Sequence, residues 1–286
     1  MFEKLVVAVD QSAASQALVH AIGGMAALGA REILLLQCVS INDLTSISLS
    51  YTLEYIDKQL NELKKALLDR GFSVETRIVP GSPRSEAYHV AIREGYSAIV
   101  VGAKKHAAAE PVFGGLAFDL IHHAPKPVLI VRLKDEAQTN AVDFGAHVLL
   151  PTDFSENAEQ AFEQLLGLVK NGIRQVTLLH VQDQSRIGKT LQEKLGEYNE
   201  IDGRRLEAMK KKLEAAGADV QTLIRFGSPA VETLKTVREL GVSLVVMGSQ
   251  GRGFVPELFL GSVSHNVVRH GDTSVLLIPA KKHLVK

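Results

Sequence analysis

The amino-acid sequence predicts an α/β protein that contains two copies of one domain. Each copy is expected to form an open, twisted, parallel sheet of five strands with helices on both faces. The first observation is a repeat: His147 lies 143 residues after its counterpart Lys4, and Gly217 lies 146 residues after its counterpart Gly71. The second is an alternation of short apolar runs and helix-like segments. The runs hold Val, Leu and Ile at successive positions, which is typical of strands buried on both faces of a parallel sheet.

The repeat is carried by five pairs of segments, which follow the same order in both halves. The pairs are KLVVAVDQSAAS and HVLLPTDFSENA, REILLLQCV and RQVTLLHV, GFSVETRIVPGSP and GADVQTLIRFGSP, SAIVVGAKK and SLVVMGSQG, and PVLIV and SVLLI. Between the copies lies RLKDEAQTNAVDFGA, residues 132–146, a polar segment without sustained periodicity that we interpret as a linker. We therefore predict two domains, at residues 1–135 and 146–286, with the boundary near residue 140.

The strands and helices of the second half can be placed from local signals. The expected strands are 147–152, 174–181, 219–226, 243–248 and 274–279. The helix that follows Ser155 is expected to end near Val169, just before an Asn-Gly pair. A later helix is expected to have Ser228 as its N-cap and Pro229 at its first position, and to end at Gly241. The second half is therefore predicted to contain five strands that alternate with four helices, in the order β-α-β-α-β-α-β-α-β.

The composition argues against several classes of protein. Lys plus Arg number 32 and Asp plus Glu number 32, so the formal charge is zero, unlike a protein held to nucleic acid by phosphate contacts. No apolar run approaches the ~18–20 residues of a membrane span. The N-terminal KLVVAVD lacks the charged region, long apolar core and cleavage site of a secretion signal. We therefore expect a cytoplasmic protein with no nucleic-acid or membrane partner.

Two residues with reactive side chains are interpreted as parts of the core. Cys38 is the single cysteine and lies in the apolar run ILLLQCV, so we expect a buried small hydrophobe rather than a nucleophile. His180 lies in a strand that is predicted to be buried, and we interpret it as a core histidine whose hydrogen bonds are satisfied.

The segment GSQGRGFVPELFLGS, residues 248–262, is rich in glycine, which is costly inside helices and strands. It follows the fourth predicted strand and ends where the last helix is predicted to begin, so it lies at the sheet edge where open α/β sheets bind ligands. Glycine lets phosphate oxygens approach the main chain, and the free N–H groups of a helix N-terminus favour anions, so this segment is suited to bind phosphate. Asp153 follows the first strand at the same edge and can accept hydrogen bonds from ribose hydroxyls or an adenine amino group. The alternative for Asp153 is a helix-capping role with Ser155.

The spacing of Gly248, Gly251, Gly261 and Ser262 resembles the ATP-binding signature of the universal stress protein family. PTDFS on the first strand, TLLHV on the second and GSP after the third extend the resemblance, which covers essentially the whole chain as a tandem of two domains. It implies strand order 3-2-1-4-5 in each domain, with ATP or AMP, and Mg²⁺ as an option, between strands 1 and 4. The residues implied as ligand contacts are Pro151, Thr152, Asp153, Val181, Met247, Gly248, Gly251, Gly261, Ser262 and Val263, with Arg252 and Ser264 as additional phosphate contacts.

The first half departs from this signature. The matching residues are Asp10 with Asp153, Gly102 with Gly248 and Gly115 with Gly261. However, Lys105 stands at the position of Gly251, where a side chain would crowd the backbone if that position needs a positive φ. Leu116 stands at the position of Ser262 and removes a hydroxyl donor. We predict that the first half does not bind ATP in the family manner; the alternative is that Lys104 or Lys105 contacts a phosphate.

The resemblance implies a stress-response regulatory protein that binds an adenine nucleotide in its second half, with no catalytic or metal-binding residues. Phosphoryl transfer needs a metal held by dedicated ligands, and one Asp near the crevice supports at most a weak ATPase. The alternatives are a slow ATPase or adenylyl-transferring enzyme, and a nucleotide-free scaffold that binds another protein. AVDQSAAS and PTDFSENA both lack the H-x-G-H and S-G-G-x-D-S motifs of adenylyl transfer. The resemblance also implies a pseudo-dimer of the halves through their last strands, and a homodimer of the chain is a further option.

Overall fold

The computed structural model of the chain describes residues 2–40, 49–104, 120–121, 124–133, 139–183, 195–251 and 260–280. The chain divides into two compact units, Met1–Asp143 and Phe144–Lys286, here called the N-terminal and the C-terminal unit. The domain limits predicted from the sequence, 1–135 and 146–286, lie inside these units.

The N-terminal unit contains a parallel sheet with strand order β3-β2-β1-β4-β5. Its strands are β1 (Lys4–Val9), β2 (Glu32–Val39), β3 (Ser73–Pro80), β4 (Ala98–Lys104) and β5 (Val128–Leu133). Successive residues of the central strand β1, such as Leu5, Val6 and Val7, are fully buried. Because neighbouring side chains of a strand point to opposite faces, both faces of this sheet are covered.

Helices cover the N-terminal sheet. They are α1 (Ala13–Ala21), which continues into a 3₁₀ segment (Ile22–Leu28), α2 (Leu49–Leu68) and α3 (Pro83–Arg93). Helix α1 packs on β4 and β5, α2 packs on β3 and α1, and α3 packs on β1 and β2.

The C-terminal unit repeats this arrangement with the order β8-β7-β6-β9-β10, which is again 3-2-1-4-5 in the order of its own strands. Its strands are β6 (Val148–Thr152), β7 (Gln175–Asp183), β8 (Asp219–Gly227), β9 (Leu244–Gly248) and β10 (Ser274–Ile278). Each observed strand begins and ends within two residues of its predicted range. The predicted fold class, two repeated α/β sheets with parallel strands, is therefore confirmed.

The helices of the C-terminal unit are α4 (Glu156–Lys170), α5 (Leu195–Ala215), α6 (Pro229–Leu240) and α7 (Ser262–His270). The ends of α4 and α6 and the start of α7 lie within one residue of the positions predicted from local signals. Ser155 caps α4 by accepting the N–H of Ala158 at 3.3 Å, and Gly241 ends α6 in a left-handed conformation with φ 61°. Ser228 stands at the N-cap of α6 as predicted, although its side chain makes no capping hydrogen bond.

The helices of the two units differ in which strands they cover. In the C-terminal unit, α4 packs on β6, β9 and β10, α5 packs on β7 and β8, and α6 packs on β7, β8 and α7.

Across the part of the chain that is described, no helix combines the length and apolar character needed to cross a bilayer.

Cys38 is half-buried on β2, and its environment opposes ionisation. Burial raises the pKa of its thiol to about 11, with the nearby Glu86 carboxylate as a smaller contribution. Because each pKa unit changes the thiolate fraction tenfold, we expect alkylation by iodoacetamide at pH 8 to be about a hundredfold slower in the folded chain than in urea. The rate can be followed by mass spectrometry. Equal rates in both states would contradict the interpretation of Cys38 as an unreactive core residue.

Candidate functional site

The C-terminal sheet has a crevice between the carboxyl ends of β6 and β9. These strands are neighbours, while β7 lies beyond β6 and β10 lies beyond β9, so the strand order reverses between them. Only the start of β6 pairs with β9, through Val148 with Leu244 and Leu149 with Val245. The pairing of β6 with β7 continues to Thr152. The ends of β6 and β9 therefore diverge, as in other open α/β sheets that bind ligands at this point.

The turn after β6 fixes the position of Asp153. One carboxylate oxygen, Oδ1, accepts the N–H of Ser155 at 3.0 Å, and the hydroxyl oxygen of Thr152 accepts the N–H of Phe154 at 3.1 Å. Phe154 adopts φ 57°, a left-handed conformation that is costly for a residue with a side chain. These two hydrogen bonds hold the Asp153 carboxylate at the crevice, and they offset the conformational cost of the left-handed Phe154.

Two glycines, one at the end of β9 and one in the loop that follows, leave room for side chains from the segment after β6. A Cβ at Gly248 would lie 2.7 Å from Oδ1 of Asn157, and a Cβ at Gly251 would lie 2.7 Å from Oδ2 of Asp153. Gly251 does not adopt a positive φ, so the reason considered from the sequence does not apply. The need for glycine at both positions is steric, because a side chain would collide with a polar group of the crevice wall.

The loop that leads into α7 is closed by short hydrogen bonds. The N–H of Gly261 donates to the carbonyl of Ser249 at 2.7 Å. The hydroxyl of Ser264 is 2% exposed and lies 2.7 Å from that same carbonyl and 2.9 Å from the carbonyl of Gly261. This buried hydroxyl therefore contacts both described ends of the loop, and a phosphate contact by Ser264 stays a prediction.

Helix α7 begins at Ser262 without a capping side chain and without an acidic residue in its first turn. The first N–H groups of a helix have no carbonyl partner within the helix, and the helix dipole makes this end partly positive. The side chain of Ser262 is exposed. The start of α7 can therefore accommodate an anion.

A polar and aromatic cluster adjoins the tip of β6, and sequence reasoning did not find it. His180 is buried, with Nδ1 2.8 Å from the carbonyl oxygen of Thr152 and Nε2 3.3 Å from Oδ2 of Asp202 on α5. The ring of Phe154 stacks on His180 at 4.7 Å, and the guanidinium of Arg205 lies 5.1 Å from the centre of the Phe154 ring. This cluster braces the strained turn and agrees with the interpretation of His180 as a satisfied core histidine.

The residues implied as ligand contacts lie at the carboxyl edge of the C-terminal sheet or at the start of α7, except one that is not described. Pro151 and Thr152 end β6, Met247 is the residue before the end of β9, and Val181 lies near the end of β7. Val263 follows Ser262 in the first turn of α7. The predicted phosphate contact Arg252 lies outside the described residues.

The corresponding edge of the N-terminal unit keeps the contact between the aspartate and the main chain two residues later, and differs in other contacts. Oδ1 of Asp10 accepts the N–H of Ser12 at 3.0 Å and the hydroxyl of Ser15 at 2.7 Å. A Cβ at Gly102 would lie 3.1 Å from a methyl group of Leu133, so this glycine faces an apolar neighbour. The prediction for this half depends on Lys105, Gly115 and Leu116, which lie outside the described ranges. The side chain of Lys104 is not described either.

Among the described residues, no three His, Cys, Asp or Glu side chains are placed so that they could hold one ion.

A parallel sheet of order 3-2-1-4-5 with a crevice at the point of strand reversal defines a doubly wound α/β protein, a class in which ligands bind at that crevice. The sequence model of the universal stress protein family matches residues 1–132 and again residues 146–279. The chain belongs to this family, and the resemblance stated from the sequence is confirmed. It is a tandem member that carries the family domain twice.

The chain is similar to individual members of the family. A universal stress protein of Methanocaldococcus jannaschii is 33% identical over 153 residues, which are 47% of this chain and 94% of that protein. A putative universal stress protein of Staphylococcus epidermidis is 31% identical over 138 residues, 46% of this chain and 82% of that protein. The crystal structure of a universal stress protein from Archaeoglobus fulgidus matches with a TM-score of 0.78 at 23% identity, over 98% of this chain and 99% of that one. This last likeness supports the fold.

Proposed function

We propose that the protein is a stress-response regulator that binds ATP or AMP in the crevice of its C-terminal unit. The observation that carries the proposal is the close approach of Asp153 to Gly251, where a Cβ would lie 2.7 Å from the carboxylate. This contact places the residue after β6, which is expected to bind the sugar or the base, next to the loop between β9 and α7. The helix α7 begins without a capping side chain. One crevice thus offers a carboxylate acceptor beside an anion-binding helix end.

Each wall of the crevice has a chemical role in this proposal. Pro151, Thr152 and Val181 line the side for the base, and Asp153 accepts hydrogen bonds from ribose hydroxyls or the adenine amino group. On the other side, the main-chain N–H groups of Ser262 and Val263, in the first turn of α7, face the phosphates. Mg²⁺, where present, arrives with the nucleotide and neutralises part of the phosphate charge.

The proposal is one of binding rather than of efficient catalysis. Phosphoryl transfer depends on a metal held by dedicated ligands and on a positioned base or arginine. Asp153 already accepts the N–H of Ser155, so it holds the turn as well as facing the crevice. We propose a cytoplasmic protein with at most weak ATPase activity, whose bound state is read by a protein partner.

Titration calorimetry of the purified, nucleotide-stripped chain with ATP and AMP tests the proposal. We expect a stoichiometry of about one nucleotide per chain, because the wall residues that we assign to the ligand are complete only in the C-terminal unit. Two sites per chain would contradict the prediction for the N-terminal half, and the absence of binding would favour the scaffold alternative. Rapid, Mg²⁺-dependent release of phosphate would favour the enzyme alternative.

A further inference from the structure

Asn157, in the first turn of α4, connects this helix to the ends of two strands. Its side chain is 6% exposed. Oδ1 accepts the N–H of Gln250, in the loop after β9, at 2.9 Å, and Nδ2 donates to the carbonyl of Ile278, the last residue of β10, at 3.1 Å. Because one partner is a donor and the other an acceptor, only one orientation of the amide satisfies both.

The loop after β9 is built around this amide. A Cβ at Gly248 would lie 2.7 Å from Oδ1 and 2.8 Å from Cγ of Asn157, so only glycine leaves room for the side chain. The N–H of Ser249 donates to the carbonyl of Ile278 at 2.8 Å, and the Asn157 amide donates to that carbonyl too. The first two residues of the loop, Ser249 and Gln250, are therefore held by the end of β10 and by one buried amide.

The N-terminal unit provides an internal comparison. In the paired segments KLVVAVDQSAAS and HVLLPTDFSENA, Asn157 corresponds to Ala14, which has no polar side chain. The glycine that corresponds to Gly248 is Gly102, which faces Leu133 instead of an amide. The half that departs from the nucleotide signature thus also lacks the amide that supports the loop.

We propose that Asn157 is a positioning residue that sets the conformation of residues 248–251 for binding the phosphate groups of the nucleotide. This inference rests on the proposed function. Asn157 itself does not touch the ligand: both ends of its amide are used within the protein. It acts by holding the Gln250 main chain, which continues into Gly251 beside Asp153.

The test compares ATP with adenosine, which carries the same base and sugar but no phosphate. For Asn157→Ala we expect the Kd for ATP to rise about tenfold, since the hydrogen bonds to Gln250 in the loop and to Ile278 at the end of β10 are lost, while the Kd for adenosine changes less than about twofold. Asn157→Asp keeps an acceptor for Gln250 but sets a carboxylate oxygen against the Ile278 carbonyl, so we expect an intermediate loss. Glu163→Ala, at an exposed position of the same helix, is the control and should leave both affinities unchanged.

A second measurement does not depend on the ligand. Hydrogen exchange at the Gln250 amide is expected to become at least about tenfold faster in Asn157→Ala, while exchange in β6 stays the same. Equal losses of ATP and adenosine affinity, or unchanged ATP affinity, would overturn the proposed role of Asn157. Neither result would contradict nucleotide binding itself. A wild-type chain that bound neither ligand would overturn the proposed function and this role with it.

Discussion

Replacing Gly251 by lysine is expected to abolish ATP binding, with the Kd raised at least about a hundredfold, equivalent to ~3 kcal/mol. The Cβ of any side chain at Gly251 would lie 2.7 Å from Oδ2 of Asp153, so either the loop or the carboxylate must move. The lysine ammonium would then pair with Asp153 and remain in the crevice as a competitor of the ligand. Titration calorimetry with ATP measures the effect, and thermal unfolding shows whether the chain stays folded.

Gly203→Lys is the matched control for this experiment. It makes the same chemical change within α5, where a Cβ would meet no atom within 4 Å. We expect wild-type affinity for ATP in this variant. If Gly251→Lys bound ATP as tightly as Gly203→Lys, residues 248–251 would not form part of the nucleotide site.

Asp153→Ala is expected to weaken ATP, AMP and adenosine alike, by about tenfold to a hundredfold. The carboxylate is proposed to accept hydrogen bonds from the sugar or the base, and a hydrogen bond to a charged group contributes ~1.5–3 kcal/mol. The alanine variant also loses the acceptor for the N–H of Ser155, so a lower melting temperature is expected as well. Calorimetric titration with each of the three ligands gives the affinities.

Asp153→Asn separates binding from stability. The asparagine oxygen can still accept the N–H of Ser155, so the melting temperature should stay near that of the wild type, while the charge that faces the ligand is removed. We expect an affinity between those of the wild type and Asp153→Ala. A loss confined to ATP, with adenosine unaffected, would place Asp153 on the phosphate side and contradict its proposed role.

The fold could be predicted because its signals are local. Buried parallel strands are apolar at successive positions, and Ser155 and Gly241 mark helix ends by properties of their own backbone and side chains. The repeat then required that both halves share one topology. Strand limits differed by up to two residues because pairing depends on neighbours that the local pattern does not reveal.

The candidate site was only partly predictable. Chain order alone places Asp153 and the glycines at one sheet edge, since all carboxyl ends of a parallel sheet lie together. The contact of Asn157 with Gly248 joins residues far apart in sequence, and no local signal reports it. His180 and Asp202 meet because of how α5 packs on β7, which again depends on tertiary structure. For Gly251, the sequence suggested a backbone reason, and the structure gives a steric one.

The fit of Asn157 against Gly248 also constrains the history of this domain. A Cβ at position 248 collides with the side-chain amide, whereas a smaller residue at 157 removes the two shortest contacts and leaves its backbone oxygen 3.0 Å from that Cβ. In a lineage, position 157 should therefore lose its amide before position 248 gains a side chain, and a reversal should begin at position 248.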